Sequence, residues 1–173
     1  MRVIATDRLT LEPQVASHAE EMFRVLSDPA IYEHENEPPP SAEWLRDRFT
    51  KLETRRSPDG REAWLNWVVR LPSSELIGFV QATVHADARA SIAYVLGSRF
   101  WGRGLAREAV RGVISELGGH YRVRDLYAEL KATNLRSRRL LEHLGFSAIA
   151  PDPAGGPKVA ADELLMTRRI EGE

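Results

Sequence analysis

The part of this chain best suited to chemistry is a glycine-rich turn that joins a strand-like stretch to a helix-like stretch. It reads Arg-Phe-Trp-Gly-Arg-Gly-Leu-Ala over residues 99–106. Gly102 and Gly104 lack a Cβ, so the backbone can bend sharply and bring successive N–H groups close to a phosphate. The following helix adds its own unpaired N–H groups and the positive end of its dipole. The turn predicts an anion-binding site, although an ordinary strand-to-helix turn shows the same short pattern.

Positive charge is concentrated around this turn. The net charge of the chain is −1, yet residues 99–139 contain ten Arg or Lys and four Asp or Glu, a local +6 that leaves −7 elsewhere. Arg103 and Arg107 are four residues apart and share a helix face. This distribution favours a polyanionic ligand. Nucleic acid is disfavoured because the isoelectric point is near 6.5.

Composition excludes several other kinds of site. The chain has no cysteine, which rules out disulfides, thiolate metal ligands and a cysteine nucleophile. Its five histidines lack the spacing of metal ligands, so no metal is expected. There is no apolar run of about 18 residues that could span a membrane, and the amino terminus lacks the apolar segment of a secretory signal. We therefore expect a cytoplasmic protein without a membrane partner.

Hydrophobic periodicity predicts one α+β domain over residues 1–173, with a mixed sheet of about seven strands flanked by about four helices. Strands are predicted around residues 8–11, 64–71, 76–84, 90–96, 125–131, 146–150 and 161–169. Helices are predicted over residues 15–26, from Ser41 to before Ser57, from the glycine turn to Leu117, and from Asn134 to Leu144. Gly118 and Gly119 are expected to end the third helix in a left-handed cap, and the proline- and glycine-rich residues 151–157 to form a loop.

A dinucleotide-binding turn is the main alternative to this interpretation. Its Gly-x-Gly-x-x-Gly pattern would place a third glycine at position 107, where this chain has arginine. Three predicted strands also precede the turn, whereas that fold alternates strands and helices from its start. Both observations argue against a dinucleotide-binding fold.

Two motifs together resemble the GNAT acetyltransferases over almost the whole chain. The family's acetyl-CoA motif is Arg/Gln-x-x-Gly-x-Gly/Ala, which Arg99, Gly102 and Gly104 match. Its second motif, Asn-x-x-Ser/Ala before an apolar helix and Gly-Phe, is matched by Asn134, Ser137 and residues 145–146. The opening Thr-Asp-Arg-Leu-Thr-Leu at residues 6–11 and the Trp-Gly-x-Gly-x-Ala form of the turn are similar to the RimJ/RimL-type branch, whose members acetylate protein amino termini or small amines.

This resemblance implies acetyl-CoA as co-substrate and an amine as acceptor, in a monomer or homodimer. It implies that the strand before the turn splays from the next strand and presents Tyr94, Val95 and Leu96 to the pantetheine. The pyrophosphate would be bound at the turn, and Asn134 and Ser137 would contact the cofactor, unless Asn134 only caps its helix. The residues then expected around the pyrophosphate are Arg99, Gly102, Arg103, Gly104, Leu105, Ala106 and Arg107.

The resemblance also implies catalytic roles. Glu129 alternates with Tyr127 and Lys131 on one strand face and lies five residues before Asn134, where some relatives have a glutamate that deprotonates the amine. Many relatives also have a tyrosine seven residues after that asparagine as general acid, but this chain has Leu141. Proton donation to the leaving thiolate is then expected from water, Ser137 or Tyr94, a modest demand because a thiol has a pKa near 8.5.

The acceptor is not determined by these patterns. Glu33, Glu35 and Glu37 precede three prolines in the loop that borders the acceptor site in this fold, and acidic groups there would favour a cationic amine unless the loop is merely solvated. The expected function is N-acetyl transfer from acetyl-CoA by direct attack of an amine. The alternative is a domain that binds acyl-CoA without turnover, which would have the same turn and would also lack the acid.

Overall fold

The computed structural model describes residues 1–34, 36–149 and 159–170. Its strands are β1 (Ile4–Ala5), β2 (Thr10–Pro13), β3 (Ala63–Arg70), β4 (Leu76–Val84), β5 (Arg89–Leu96), β6 (Asp125–Lys131), β7 (Ser147–Ile149) and β8 (Glu163–Arg169). Its α-helices are α1 (Ala19–Leu26), α2 (Ala42–Leu52), α3 (Leu105–Gly119) and α4 (Leu135–His143). Short 3₁₀ helices cover Ala16–His18, Pro29–Tyr32 and Ser98–Phe100.

The strands form one mixed sheet in the order β1-β2-β3-β4-β5-β6-β8-β7. Every neighbouring pair is antiparallel except β5 and β6, which are parallel. The α+β prediction is confirmed, with eight strands in the described residues instead of about seven. The additional strand is β1, whose two residues are too short to produce a recognisable alternation.

The two faces of the sheet are buried by different helices. Alternate side chains of β3 illustrate this: Trp67 lies in a large apolar cluster with residues of α3, whereas Val68 lies in a smaller one with residues of α1 and α2. Successive side chains of a strand point to opposite faces, so both helical layers have a continuous apolar floor. The protein is therefore a three-layer structure with the sheet in the middle.

Several predicted bounds need correction. Residues 16–18 form a 3₁₀ turn, so the first α-helix begins at Ala19. The predicted left-handed cap at Gly118 and Gly119 is wrong, because α3 includes both and the positive φ falls on Arg122. A Cβ at Gly118 would lie 3.0 Å from Ile170 Cγ2, so close packing explains that glycine better.

The predicted loop over residues 151–157 lies outside the described residues, as does the predicted strand end at Ala150. In the part of the chain that the structure describes, no helix has the length and apolar character needed to cross a membrane.

Candidate active site

The glycine turn has the conformation that an anion cradle requires. Gly102 has φ 71° and Gly104 has φ 75°, both in the left-handed region that glycine adopts without strain. Gly104 is the N-cap of α3 and supplies no side chain to its first N–H groups. None of the N–H groups of residues 102–107 donates a hydrogen bond to another described residue. Six adjacent donors are therefore free to bind oxygens of a polyanion.

A buried carboxylate supports this turn from behind. Glu108, in the first turn of α3, is only 5% exposed. It accepts hydrogen bonds from Thr6 Oγ1 at 2.6 Å, Arg8 N at 2.8 Å and Arg8 Nε at 2.7 Å. Arg8 Nη1 also donates to the carbonyl oxygen of Arg103 at 3.0 Å. The amino-terminal segment thus ties the turn to its helix, a contact that sequence reasoning missed because a glutamate in a helix is usually solvated.

An aromatic side chain joins the turn to α4. Trp101 Nε1 donates to the Leu96 carbonyl oxygen at 2.8 Å. The guanidinium of Arg136 lies 3.5 Å from the centroid of a Trp101 ring, a cation–π contact. Leu96 ends β5, so the turn, the strand and α4 are held together at one place.

The arginines predicted to bind phosphate occupy different positions. Arg103 and Arg107 are exposed near the free N–H groups. Arg99 instead forms an ion pair with Glu75 and lies over the Phe100 ring at 4.7 Å. It lines a second cavity of about 630 Å³, beside α1 and the β3–β4 turn. Arg103 also lies over the Phe100 ring, at 6.0 Å, so Arg99 and Arg103 contact the same aromatic side chain, and Arg99 differs in its ion pair with Glu75.

The parallel strands β5 and β6 separate where a cofactor arm would enter. They pair only at Arg89, Ala90 and Ser91 of β5, and the rest of β5 has no partner on that side in the described chain. Gly97 N donates to Ile77 O on β4, so the peptide groups of Gly97 face β4. Along an antiparallel strand, the N–H and C=O groups of successive residues point alternately towards the paired strand and away from it. By this alternation Tyr94 and Leu96 direct their peptide groups towards the gap. Val95 directs its own towards β4.

A cavity of about 560 Å³ opens at this gap on the α1 and α2 side. Of the residues predicted for catalysis or cofactor binding, it is lined by Tyr94, Val95, Glu129, Asn134 and Ser137. Leu96 and the glycine turn do not line it. The cavity therefore collects the predicted chemical groups, while the predicted phosphate site lies beyond it.

Two predicted cofactor contacts have structural roles as well. Asn134 Oδ1 accepts a hydrogen bond from Ser137 N at 3.1 Å, so Asn134 is the N-cap of α4. The Tyr94 hydroxyl is 3.4 Å from the Ser137 carbonyl oxygen, a long hydrogen bond. Burial raises the pKa of Tyr94 to about 12. Tyr94 therefore keeps its proton at neutral pH and acts as a hydrogen-bond donor.

The remaining candidates line the same cavity. Glu129 is exposed towards the cavity from β6. Leu141, where many relatives have tyrosine, is 2% exposed and lines the same cavity. The leucine side chain has no proton to donate to a leaving thiolate. Among the described residues there is no group of three or more His, Cys, Asp or Glu arranged to hold a metal ion.

The loop before α2 forms another wall. His34 and Glu37 line the cavity, and His34 Nδ1 lies 3.4 Å from Thr133 Oγ1, just before α4. Glu33 is exposed and is 3.9 Å from the imidazole of His34. Glu35 lies outside the described residues. The described part of this loop therefore lines the cavity.

Comparison with known proteins gives a consistent result. The family model "Acetyltransferase (GNAT) domain" matches residues 8–147. A relative from Bacillus licheniformis, named "Uncharacterized N-acetyltransferase p20", is 28% identical over 149 residues, covering 84% of this chain and 83% of that protein.

Solved structures show the same fold. RimL, the ribosomal L7/L12 alpha-N-protein acetyltransferase in complex with coenzyme A, superposes with a TM-score of 0.81 at 16% identity, covering 99% and 100% of the two chains. Ribosomal-protein-S5-alanine acetyltransferase from Vibrio fischeri has a TM-score of 0.78 at 17% identity, with 98% and 97% covered.

Proposed function

Since the chain belongs to the GNAT acetyltransferase family, we propose that it transfers the acetyl group of acetyl-CoA directly to an amine. The observation that carries the proposal is that a gap between two strands is followed along the chain by a group of unpaired N–H groups. Strands β5 and β6 separate beside the cavity, and six unpaired N–H groups follow at residues 102–107. The pantetheine arm of acetyl-CoA would supply hydrogen-bond partners to the peptide groups in the gap, and its pyrophosphate would accept hydrogen bonds from the N–H groups of the turn.

The peptide groups of Tyr94 and Leu96 are proposed to bind the pantetheine arm, since they face the gap. Leu96 contributes its N–H, because its carbonyl oxygen accepts from Trp101. Val95 contributes its side chain to the cavity wall. Residues 102–107 bind the pyrophosphate, with Arg103 and Arg107 as charge partners and Asn134 and Ser137 beside the arm. Arg99 would need to leave Glu75 to join them.

The transfer itself requires a neutral amine. We propose Glu129 as the base that accepts the amine proton, because its carboxylate lies in the cavity beside the gap. The amine nitrogen then forms a bond to the acetyl carbon as the carbon–sulfur bond breaks, and the thiolate leaves with the electron pair. The nitrogen of the new amide releases its excess proton to water, and water supplies the proton that the sulfur takes up. Tyr94 has too high a pKa to give up its proton easily and donates a hydrogen bond instead.

A second candidate function is binding of acyl-CoA without turnover. The buried Leu141 favours it, since the position offers no acid. Direct transfer remains the better explanation because the cavity still contains a carboxylate and a hydroxyl, and a thiolate is a tolerable leaving group.

We further propose that residues 1–173 act as one catalytic unit in the cytoplasm, as a monomer or homodimer, without nucleic acid.

Turnover and binding can be tested separately. Because the chain has no cysteine, a thiol reagent reports only coenzyme A released from acetyl-CoA. Thiol release that depends on an added amine supports the proposal. Binding alone should raise the melting temperature saturably, because acetyl-CoA at 100 times its dissociation constant adds about 2.7 kcal/mol to the free energy of unfolding. Such a rise without thiol release from a broad amine panel supports the binding-only alternative. If acetyl-CoA produced neither thiol release nor a rise in melting temperature, both functions would be contradicted.

A further inference from the structure

Lysine is rare in this chain. Of its 24 lysines and arginines, only Lys51, Lys131 and Lys158 carry an amine. A neutral side-chain amine near a bound thioester is a nucleophile that could take the acetyl group in place of the substrate. Lys158 lies outside the described residues, and Lys51 is exposed near the end of α2. Lys131, by contrast, ends β6, the strand of the proposed base.

Lys131 lies beside the gap between β5 and β6. It follows Glu129 by two residues, so both side chains are on the same face of β6, about 6.6 Å apart along the strand. Ser91 of β5 is paired with Tyr127 of β6. Four residues further along both strands, Lys131 is level with Val95, where β5 has no partner on that side in the described chain. A lysine amine ends a flexible four-carbon stem, so an unrestrained Nζ could turn towards the gap.

Two carboxylates hold this amine on the other side of β6. Lys131 Nζ lies 3.0 Å from Glu163 Oε1 and 3.1 Å from Asp162 Oδ2. Glu163 is paired with Lys131 across β6 and β8, and β8 flanks β6 on the side away from β5. The ion pairs therefore direct Nζ away from the gap. In agreement, Glu129 lines the cavity and Lys131 does not.

The same contacts keep the amine charged. Hydrogen bonds to Glu163 and Asp162 raise the pKa of Lys131. A protonated amine has no lone pair with which to attack a thioester, so a raised pKa leaves less of the reactive form. The two carboxylates thus turn the amine away from the gap and also suppress its nucleophilicity.

We propose that Asp162 and Glu163 are positioning residues that prevent the enzyme from acetylating its own Lys131, which reserves the acetyl group for an external amine. This inference rests on the proposed function. In the side reaction that they prevent, the neutral Lys131 nitrogen would bond to the acetyl carbon as the carbon–sulfur bond breaks, and the thiolate would leave with the electron pair. The nitrogen would release its excess proton to water, and water would supply the proton that the sulfur takes up.

The test releases the lysine and measures where the acetyl group goes. Asp162→Asn and Glu163→Gln are combined in one variant, which keeps the size of both side chains and removes their charges. Wild type and variant are incubated with acetyl-CoA alone, and peptide mass spectrometry measures acetylation at each lysine. We expect the acetylated fraction of Lys131 to be at least about tenfold higher in the variant, since the amine can then turn and lose its proton. The exposed Lys51 reports acetylation by acetyl-CoA in solution and should be equal in both proteins.

Further variants assign the effect to one amine. Lys131→Arg, added to the double variant, should remove the new acetyl group, because arginine stays charged. Asp162 is 71% exposed, so Asp162→Asn alone is a milder change to the fold with the same expected direction.

The outcomes separate this inference from the proposed function. Equal acetylation of Lys131 in wild type and both carboxylate variants, while all three acetylate an added amine, would overturn the inference alone. An increase shared equally by Lys51 would also overturn it, because the acetylation would then not be directed by the site. No transfer to any amine by the wild-type protein would overturn the proposed function and this inference together.

Discussion

Arg8 Nε and Glu108 Oε2 are 2.7 Å apart, and this ion pair joins the amino-terminal segment to the first turn of the helix that begins the proposed phosphate site. Glu108 is 6% exposed in its side chain, whereas Arg8 is 52% exposed. The carboxylate also accepts from Arg8 N, and the guanidinium reaches the Arg103 carbonyl oxygen. The pair therefore helps to hold the backbone that carries the unpaired N–H groups.

Glu108→Gln should weaken acetyl-CoA binding severalfold and destabilise the fold by about 1–3 kcal/mol, since hydrogen bonds to a charged group are lost. Glu116→Gln is the matched control: Glu116 lies on the same helix and binds Arg2 at 2.7 Å, far from the turn. Calorimetric titration with acetyl-CoA should separate the two variants. Equal affinities would show that Glu108 only stabilises the fold.

Glu108 should also make stability depend on pH. Burial alone would raise its pKa, but the hydrogen bonds from Thr6 and Arg8 outweigh burial and lower the pKa below the ordinary value of 4.5. A carboxylate with a lowered pKa contributes stability above its unfolded pKa, and loses it as pH falls through its folded pKa. Urea unfolding from pH 7 to pH 3 should show the difference between wild type and Glu108→Gln shrinking below about pH 4.5. A constant difference would contradict this.

Local patterns predicted most of the elements, and long-range contacts explain what was missed. The bounds of β4 and β6 were predicted correctly from apolar alternation between polar turns. The buried state of Glu108 was not predicted, because its partners lie about a hundred residues earlier in the chain. Gly118 was misread because a glycine near a helix end resembles a cap, whereas here it makes room for Ile170.

Only part of the candidate site could likewise be predicted from local sequence. The positive φ at the two turn glycines follows from residue type. The pairing of Asn66 with Gln81 on the cavity wall could not be predicted, because it depends on the register of β3 and β4. A sequence shows which side chains share a face of one strand, but not which residues meet across three strands.

Gly102→Ala tests the cradle. Alanine at a positive φ costs about 1 kcal/mol of stability, and a Cβ at Gly102 would meet no protein atom within 4 Å. Gly60→Ala is a close control, since Gly60 has φ 72° and equally open surroundings away from the cavity. Both variants should lose similar stability in thermal unfolding. Only Gly102→Ala should also lose acetyl-CoA affinity; equal affinity in the two would argue against phosphate binding at the turn.

Tyr94→Phe tests the hydroxyl beside the gap. Because burial raises the pKa of Tyr94 to about 12, the hydroxyl stays protonated across the working range and can only donate a hydrogen bond. Its removal should lower kcat about tenfold, the loss of roughly one such bond in the transition state. The shape of the pH profile below pH 10 should stay unchanged. A profile that loses its alkaline limb in the variant would instead identify Tyr94 as a proton donor.

Glu129→Gln tests the proposed base. General-base catalysis contributes about 100-fold or more to a rate, so kcat should fall by about that factor while the affinity for acetyl-CoA is maintained. Asp125→Asn is the control, since Asp125 occupies the same face of β6 four residues away and outside the cavity. Full activity in Glu129→Gln would remove this residue from the mechanism and leave deprotonation of the amine to bulk water.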